Sequence, residues 1–210
     1  MVRIYNPLNV DRVLKQSNEI MFSTEGRYFV AVQRLDPNEK DVETVIRAFN
    51  IFAESNKELK LYIVGGGSVE YTDYLKRLCE TDRIIFTGEL KNSYSIIKNA
   101  NALILSSTKE IGEGLPLVLL EAQALETLCI SSNVKSGPPE ILMQGEAGLL
   151  FEPGNAEELA NMMDTVINSE IKNAKIIKCA KESITRFASS KSAIDFIQLI
   201  NTIDRHQQTR

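Results

Sequence analysis

Five short, predominantly apolar runs, each followed by a segment of helical periodicity, constrain this chain more than any other feature. The first is Tyr28-Phe29-Val30-Ala31-Val32, behind which Val42, Val45, Ile46, Phe49, Phe52 and Ala53 recur at helical spacing. The unit repeats as strand Leu59 to Val64 with helix Val69 to Cys79, and as strand Ile84 to Thr87 with a short helix over Ser93 to Lys98. Strand Ala102 to Ser106 precedes helix Pro116 to Leu125, and strand Leu128 to Ser131 precedes a short helix over Pro139 to Met143. A strand with no polar alternation has no solvent face, so both sides of its sheet must be covered. Strands that alternate with helices meet that demand by running parallel. The chain is therefore expected to be α/β, a doubly wound parallel sheet with helices on both faces. The turn Glu152-Pro153-Gly154-Asn155 caps a helix over Ala156 to Ile167, and Ile171 to Ile203 reads as two more helices before a frayed end.

The densest chemistry lies in Glu113-Gly114-Leu115-Pro116-Leu117-Val118-Leu119-Leu120-Glu121, two carboxylates eight positions apart across a Gly/Pro turn that opens an apolar helix. Pro116 suits the first turn of a helix, and Gly114 lets a ligand approach the backbone closely. Unpaired N–H groups at the helix start favour an anion. Two glutamates beside such a site would repel phosphate, so their natural partners are hydroxyl groups that donate to carboxylate. A ligand carrying both phosphate and sugar hydroxyls satisfies both halves. At ~1.5 Å of rise per residue, Glu121 lies about 8 Å inside its helix, within reach of a ribose when a diphosphate sits at the entrance. Its helix is nearly apolar all round, so this carboxylate needs a partner.

Composition narrows the field. Over 210 residues the net charge is −4 and the basic residues are scattered, which argues against nucleic acid as a partner. Cys79, Cys129 and Cys179 form no C-x-x-C pair, and the single histidine, His206, sits in a polar tail, so neither a disulfide framework nor a zinc site is indicated. No Asp-x-Asp pair exists to bridge a metal to a diphosphate. No run approaches the length of a transmembrane span, and Met1-Val2-Arg3 is not followed by a signal-peptide core. A reducing cytoplasm is the expected compartment; nothing here forms a basic amphipathic anchor, although peripheral attachment of a longer parent at the inner membrane face is compatible with the sequence. Gly65-Gly66-Gly67-Ser68 suggests a dinucleotide fingerprint but fails as one, because Glu70 stands where the third glycine belongs. It reads instead as a tight strand-to-helix turn.

The Glu113 to Glu121 constellation resembles the E-x7-E signature of retaining, nucleotide-sugar-dependent glycosyltransferases with two facing Rossmann-like domains, the GT-B architecture, and in particular family 4. The resemblance runs from about Ile4 to about Ala160. Ile4-Tyr5-Asn6-Pro7 looks like the strand and loop that enter the family's second domain. Val32-Gln33-Arg34-Leu35 with Lys40 resembles its G-R-L and K-G pair, with Gln33 and Asp41 in place of glycines. Gly137-Pro138-Pro139-Glu140-Ile141-Leu142, Gly145, Gly148-Leu149-Leu150 and Pro153 follow its pattern after the E-x7-E helix. The resemblance implies one Rossmann-like half of a GT-B enzyme, with residues 1–187 as the nucleotide-sugar-binding domain and 188–210 as a C-terminal helix and tail. In the family that helix commonly crosses back to the first domain. The implied ligand is a nucleoside diphosphate sugar, UDP-sugars first, with no metal or other cofactor. Arg34 and Lys40 would meet the diphosphate, and Glu113 the transferred sugar, as the catalytic set. Gly66, Gly88, Leu90, Gly114, Leu115, Pro116, Leu117 and Glu121 would line the nucleotide, with Glu121 on the ribose.

The implied activity is sugar transfer with retention to a glycan or lipid-linked acceptor. The Ser136-Gly137-Pro138 variant of the post-helix loop looks like enzymes that build bacterial lipopolysaccharide or capsule. The acceptor site would belong to a missing N-terminal domain of the same enzyme, so this chain alone would bind nucleotide without transferring sugar. Two other readings stay open: a half-domain like that of UDP-N-acetylglucosamine 2-epimerases, and a doubly wound binding module with no chemistry. Glu110, beside Glu113, leaves the choice of sugar-facing carboxylate open as well.

Overall fold

The computed structural model describes residues 4–19, 22–109 and 113–208, with side chains to residue 202. In chain order the elements begin with α1 (Val10–Ser17), β1 (Tyr28–Val32), α2 (Val42–Ser55), β2 (Lys60–Val64), α3 (Val69–Arg77) and β3 (Ile84–Gly88). They continue with α4 (Tyr94–Lys98), β4 (Ala102–Leu105), α5 (Leu117–Ala124), β5 (Cys129–Ser132), α6 (Pro138–Ile141) and β6 (Leu149–Phe151). Helices α7 (Ala156–Asn168), α8 (Glu170–Ser183) and α9 (Ser189–Gln208) complete the chain, with single 3-10 turns at Met143–Gly145 and Ile184–Phe187.

The strands form one six-stranded sheet in the order β3-β2-β1-β4-β5-β6, with every neighbouring pair parallel. This is the doubly wound, Rossmann-like α/β fold expected from the sequence. The chain first winds outward from β1 to β3, then crosses back to lay β4 on the other side of β1. The helices that follow β1 and β4, α2 and α5, pack on opposite faces of the sheet, and the loops leading to them border a crevice at the carboxyl ends of the strands.

Each sheet face is sealed by its own apolar cluster. On one, Phe29, Ala31, Leu61, Ile63 and Ile104 pack with Val45, Ile46, Phe49 and Phe52 of α2 and Leu159 and Met163 of α7. Phe29 meets Phe52 edge to face, with ring centroids 5.5 Å apart. On the other face, Val30, Tyr62, Leu103 and Leu105 pack with Ile96 and Ile97 of α4 and Leu119 and Leu120 of α5. The strand residues alternate between the two clusters, which is why the runs are predominantly apolar.

Several expectations need correction. Residues 4–7 form no strand; Leu8 alone bridges to Ala188, and Ser192 Oγ donates to the Tyr5 carbonyl at 3.1 Å. The segment trades regular pairing for contacts with the start of α9. Helix α1 is not apparent from the sequence, because of its three apolar residues, Val10, Val13 and Leu14, only Val13 is buried among solvated Asp11, Arg12 and Lys15; Asn9 caps it by accepting from the Arg12 N–H at 2.9 Å. Strand β6 is three residues long, too short to show a period. Pro116 is the N-cap of α5 with an extended ψ of 105°, and not its first helical residue. The last helices are broken by the 3-10 turn at Ile184–Phe187, after which α9 leaves Ile194, Phe196, Ile197 and Ile200 between 44% and 58% exposed.

Phe49 is fully buried between α2 and the sheet, whereas Ile51 two positions on is 44% exposed. We expect Phe49→Ala to cost about 3–5 kcal/mol in urea unfolding, while Ile51→Ala stays within about 0.5 kcal/mol of the parent.

Candidate functional site at the strand-order reversal

The loops after β1 and β4 meet directly at the reversal. Lys40 and Ser107 pair as an isolated antiparallel bridge, the Asp41 N–H donates to the Ser106 carbonyl at 3.1 Å, and the Thr108 N–H donates to the Glu39 carbonyl at 3.2 Å. Across this seam the Lys40 ammonium forms an ion pair with the Glu113 carboxylate, their side chains only 14% and 13% exposed. Ser107 Oγ donates to the same carboxylate oxygen of Glu113. Ser107 is held in turn through its backbone N–H, which donates to Ser132 Oγ of β5 at 2.9 Å. Three strands therefore fix one carboxylate.

The loop after β5 closes over the α5 entrance. Ser136 Oγ donates to the Glu113 carbonyl. Gly137 takes a φ of 79° and lies so close to Gly114 that a Cβ there would stand 2.6 Å from the Gly114 oxygen. Only glycine fits that approach. Gly114 itself faces open space, and α5 has no side-chain cap among the described residues. The Leu119 N–H turns back to the Pro116 carbonyl at 3.1 Å, and among the described residues the Leu117 and Val118 N–H groups remain available to an anion.

On the other side of the crevice, the Gly65 N–H donates to the Gly88 carbonyl at 3.0 Å, and the Leu35 N–H to the Gly66 carbonyl at 2.8 Å. These bonds carry the sheet pairing into the loops, so Gly66 and Gly88 sit at the same rim as Arg34. Gly66 packs against the Glu89 side chain, and Leu90 is partly buried on the second cluster. Arg34 pairs with Glu39 and stays 69% exposed. It lines a cavity of about 340 Å³ together with Leu35, Asp36, Gly66, Gly67 and Ser68. Its guanidinium is thus held at the mouth and open to exchange partners.

Glu121 lies on α5 with Leu119, Leu120, Ala122 and Gln123 buried around it. Leu117, at the helix start, is 46% exposed, as a residue at a ligand-facing entrance can be. Tyr94 Oη, on the first residue of α4, donates to Glu121 Oε1 at 3.0 Å. Burial pushes the Glu121 carboxyl above the ordinary 4.5, and the Tyr94 hydrogen bond pulls part of that back. The two family departures have local explanations. Gln33 is buried, and its Oε1 accepts from the Ser106 N–H at 3.3 Å. Asp41 is the N-cap of α2, accepting from the Thr44 N–H at 3.0 Å and from Thr44 Oγ1 at 2.6 Å.

With this geometry in view, the comparisons with known proteins decide the family. Residues 14–183 match the model of the family described as glycosyl transferases group 1. The chain belongs to this family. Among its curated relatives, this group 1 chain is 31% identical over 176 residues to the lipopolysaccharide 1,6-galactosyltransferase of Salmonella typhimurium, covering 80% of the chain and 46% of that protein. It is also 31% identical over 155 residues to N-acetyl-alpha-D-glucosaminyl L-malate synthase of Bacillus anthracis, covering 72% and 39%. The chain thus spans less than half the length of these relatives. Anabaena Alr3699/HepE, solved in complex with UDP-glucose, superimposes with a TM-score of 0.76 at 21% identity, over 96% of the chain and 57% of that structure. The lipopolysaccharide outer core galactosyltransferase WaaB superimposes with a TM-score of 0.71 at 26% identity, over 95% and 55%.

Of the residues singled out in the sequence, Lys40 and Glu113 are joined directly, Gly114 and Pro116 lie close against Gly137, Arg34 and Gly66 line one cavity, and Gly88 accepts from the neighbouring Gly65 N–H. Glu121 is reached through Tyr94. Glu110 lies outside the described residues, and so does the side chain of His206. Sequence reasoning missed Ser107 and Tyr94. Ser106-Ser107 at the end of an apolar strand was a usable signal for the first; an isolated tyrosine at a helix start offered none for the second.

Two outcomes test this site. Lys40→Met leaves the enclosed Glu113 carboxylate without its cation and should cost roughly 1–3 kcal/mol, below the fully buried case; adding Glu113→Gln should recover most of it in a double-mutant cycle of urea midpoints. Because the folded Glu121 carboxyl titrates above its unfolded value, the folded state binds more protons through that window and loses stability as pH rises through it. Glu121→Gln should therefore raise the urea midpoint at pH 7, and the gain should fade once the pH drops below the ordinary carboxyl value of 4.5.

Proposed function

We propose that this chain is the donor-binding half of a retaining GT-B glycosyltransferase of family 4, taking a nucleoside diphosphate sugar, with UDP-sugars as the preferred class. The observation that carries this reading is the Lys40 to Glu113 pair across the strand-order reversal, beside an uncapped helix entrance. A diphosphate at that entrance takes over Lys40 and meets Arg34, while the transferred sugar offers its hydroxyls to the released Glu113 carboxylate. Each half of the ion pair thus gains a ligand partner of matching chemistry, so neither charge is left buried alone. Arg34, Lys40 and the α5 N-terminus then stabilise charge that develops on the leaving diphosphate, a role that calls for no metal or other cofactor. Glu121 accepts from the ribose, and backbone groups at Gly66, Gly88 and Leu90 border the nucleobase. Gly114, Leu115, Pro116 and Leu117 form the diphosphate floor.

The acceptor site is proposed to come from a second Rossmann-like half, with the apolar face of α9 (Ile194, Phe196, Ile197, Ile200) as part of its docking surface. By itself the 210-residue chain is proposed to bind nucleotide without transferring sugar. The name of the Salmonella relative supports a place in the synthesis of bacterial lipopolysaccharide or other surface polysaccharide, and a cytoplasmic location belongs to the same proposal. Among the described residues no helix is long and apolar enough to cross a membrane.

Isothermal titration calorimetry with UDP and UDP-glucose provides the test. Charge-assisted contacts are worth about 1.5–3 kcal/mol, so Arg34→Ala and Glu121→Ala should each bind about tenfold or more weakly, and EDTA should change nothing. Equal affinity in all three proteins would remove the assigned pocket.

A further inference from the structure

We propose that Tyr94 is a positioning residue for Glu121, which sets the orientation of that carboxylate and with it the preference for a ligand carrying ribose hydroxyls. The inference rests on the reading of Glu121 as the ribose carboxylate and assigns a role to a side chain outside that set.

Glu121 lies in the middle of α5. Its neighbours on α5 are aliphatic, with Leu119, Leu120 and Ala122 fully buried. A carboxylate in such a setting rotates freely about its last torsion, which has no sharp wells. It also pays for burial by taking up a proton, and a protonated carboxyl loses acceptor capacity toward hydroxyl donors. The Tyr94 hydroxyl counters both tendencies. By donating to Oε1 at 3.0 Å it selects one rotation and favours the ionised form. Oε2 then remains as the principal acceptor for a ligand.

Tyr94 is itself held on three sides, as a positioning group must be. Its backbone N–H donates to Asn92 Oδ1 at 2.9 Å, and Asn92 Nδ2 donates to the Gln16 carbonyl at the end of α1 at 2.8 Å. The next residue, Ser95, accepts the Phe22 N–H on its Oγ at 3.0 Å. The Tyr94 ring packs on the second apolar cluster. Burial first, and then the Glu121 charge, push the Tyr94 phenol up, while the cation of Arg12, which faces the pair from α1, eases its ionisation. Tyr94 also ends the loop that starts at Gly88, so the segment proposed to border the nucleobase and the carboxylate proposed to hold the ribose are tied by one hydrogen bond.

Tyr94→Phe removes the hydroxyl and keeps the ring in its cluster. The measurement is calorimetric binding of UDP and of 2′,3′-dideoxy-UDP to the full chain and to this variant. We expect the parent to prefer UDP, and Tyr94→Phe to bind UDP about fivefold more weakly with its affinity for the dideoxy compound unchanged. If the variant keeps the full preference, or if both ligands weaken by the same factor, the positioning role is overturned while the ribose reading stands. If the parent shows no preference between the two ligands, the ribose reading of Glu121 has failed and this inference falls with it.

Discussion

The reversal of strand order between β1 and β4 is the constraint on which the rest of the molecule depends. Parallel strands direct all their following loops to one end of the sheet, and a reversal parts two of those loops so that a crevice opens between them. Here those loops carry Lys40 and Glu113, and the β-bridge between Lys40 and Ser107 sets their spacing. If the strands ran in simple sequential order, the two loops would not border a common crevice. The buried clusters on both faces serve this arrangement by fixing the six strands so that the loop ends have a rigid base.

Charge at the crevice is held at some cost to stability. The enclosed Lys40 to Glu113 pair bears a desolvation cost that an apolar pair of the same shape would avoid. Glu121 is held against burial by one phenol. Arg34 spends its guanidinium on an exposed partner at the rim, where an ion pair contributes little to the fold. Each of these groups contributes little to the fold itself, which is compatible with the ligand roles proposed for them. Such local costs gather at sites of function, where they are offset by packing elsewhere.

The departures from the family pattern are taken up by local hydrogen bonds. Gln33 turns inward and accepts a backbone N–H from the loop after β4, so the two sides of the crevice gain a further tie. Asp41 becomes the cap of α2, which pins the end of the loop that carries Arg34 and Lys40. Both substitutions act on backbone groups of the crevice walls, and neither side chain fills the space beside Gly114.

The fold class was legible because continuous apolar strands and helical periodicity are local patterns: Tyr28 to Val32 and the α2 face state their burial without reference to anything distant. The same locality explains what could not be read. Helix α1 carries few apolar residues and strand β6 has only three residues in all, while Tyr5, in the segment read by resemblance as a strand, and Leu8 after it find their partners at Ser192 and Ser189, far along the chain. At the site, the residue types and spacing of Arg34, Lys40, Glu113 and Glu121 were determined by sequence alone, since glycine, proline and charge placement announce a ligand-facing turn. Which of them touch was decided by the tertiary structure. The link from Lys40 to Glu113 spans 73 positions and the link from Tyr94 to Glu121 spans 27. No local rule reaches that far; only the crossover that sets β4 beside β1 closes those distances.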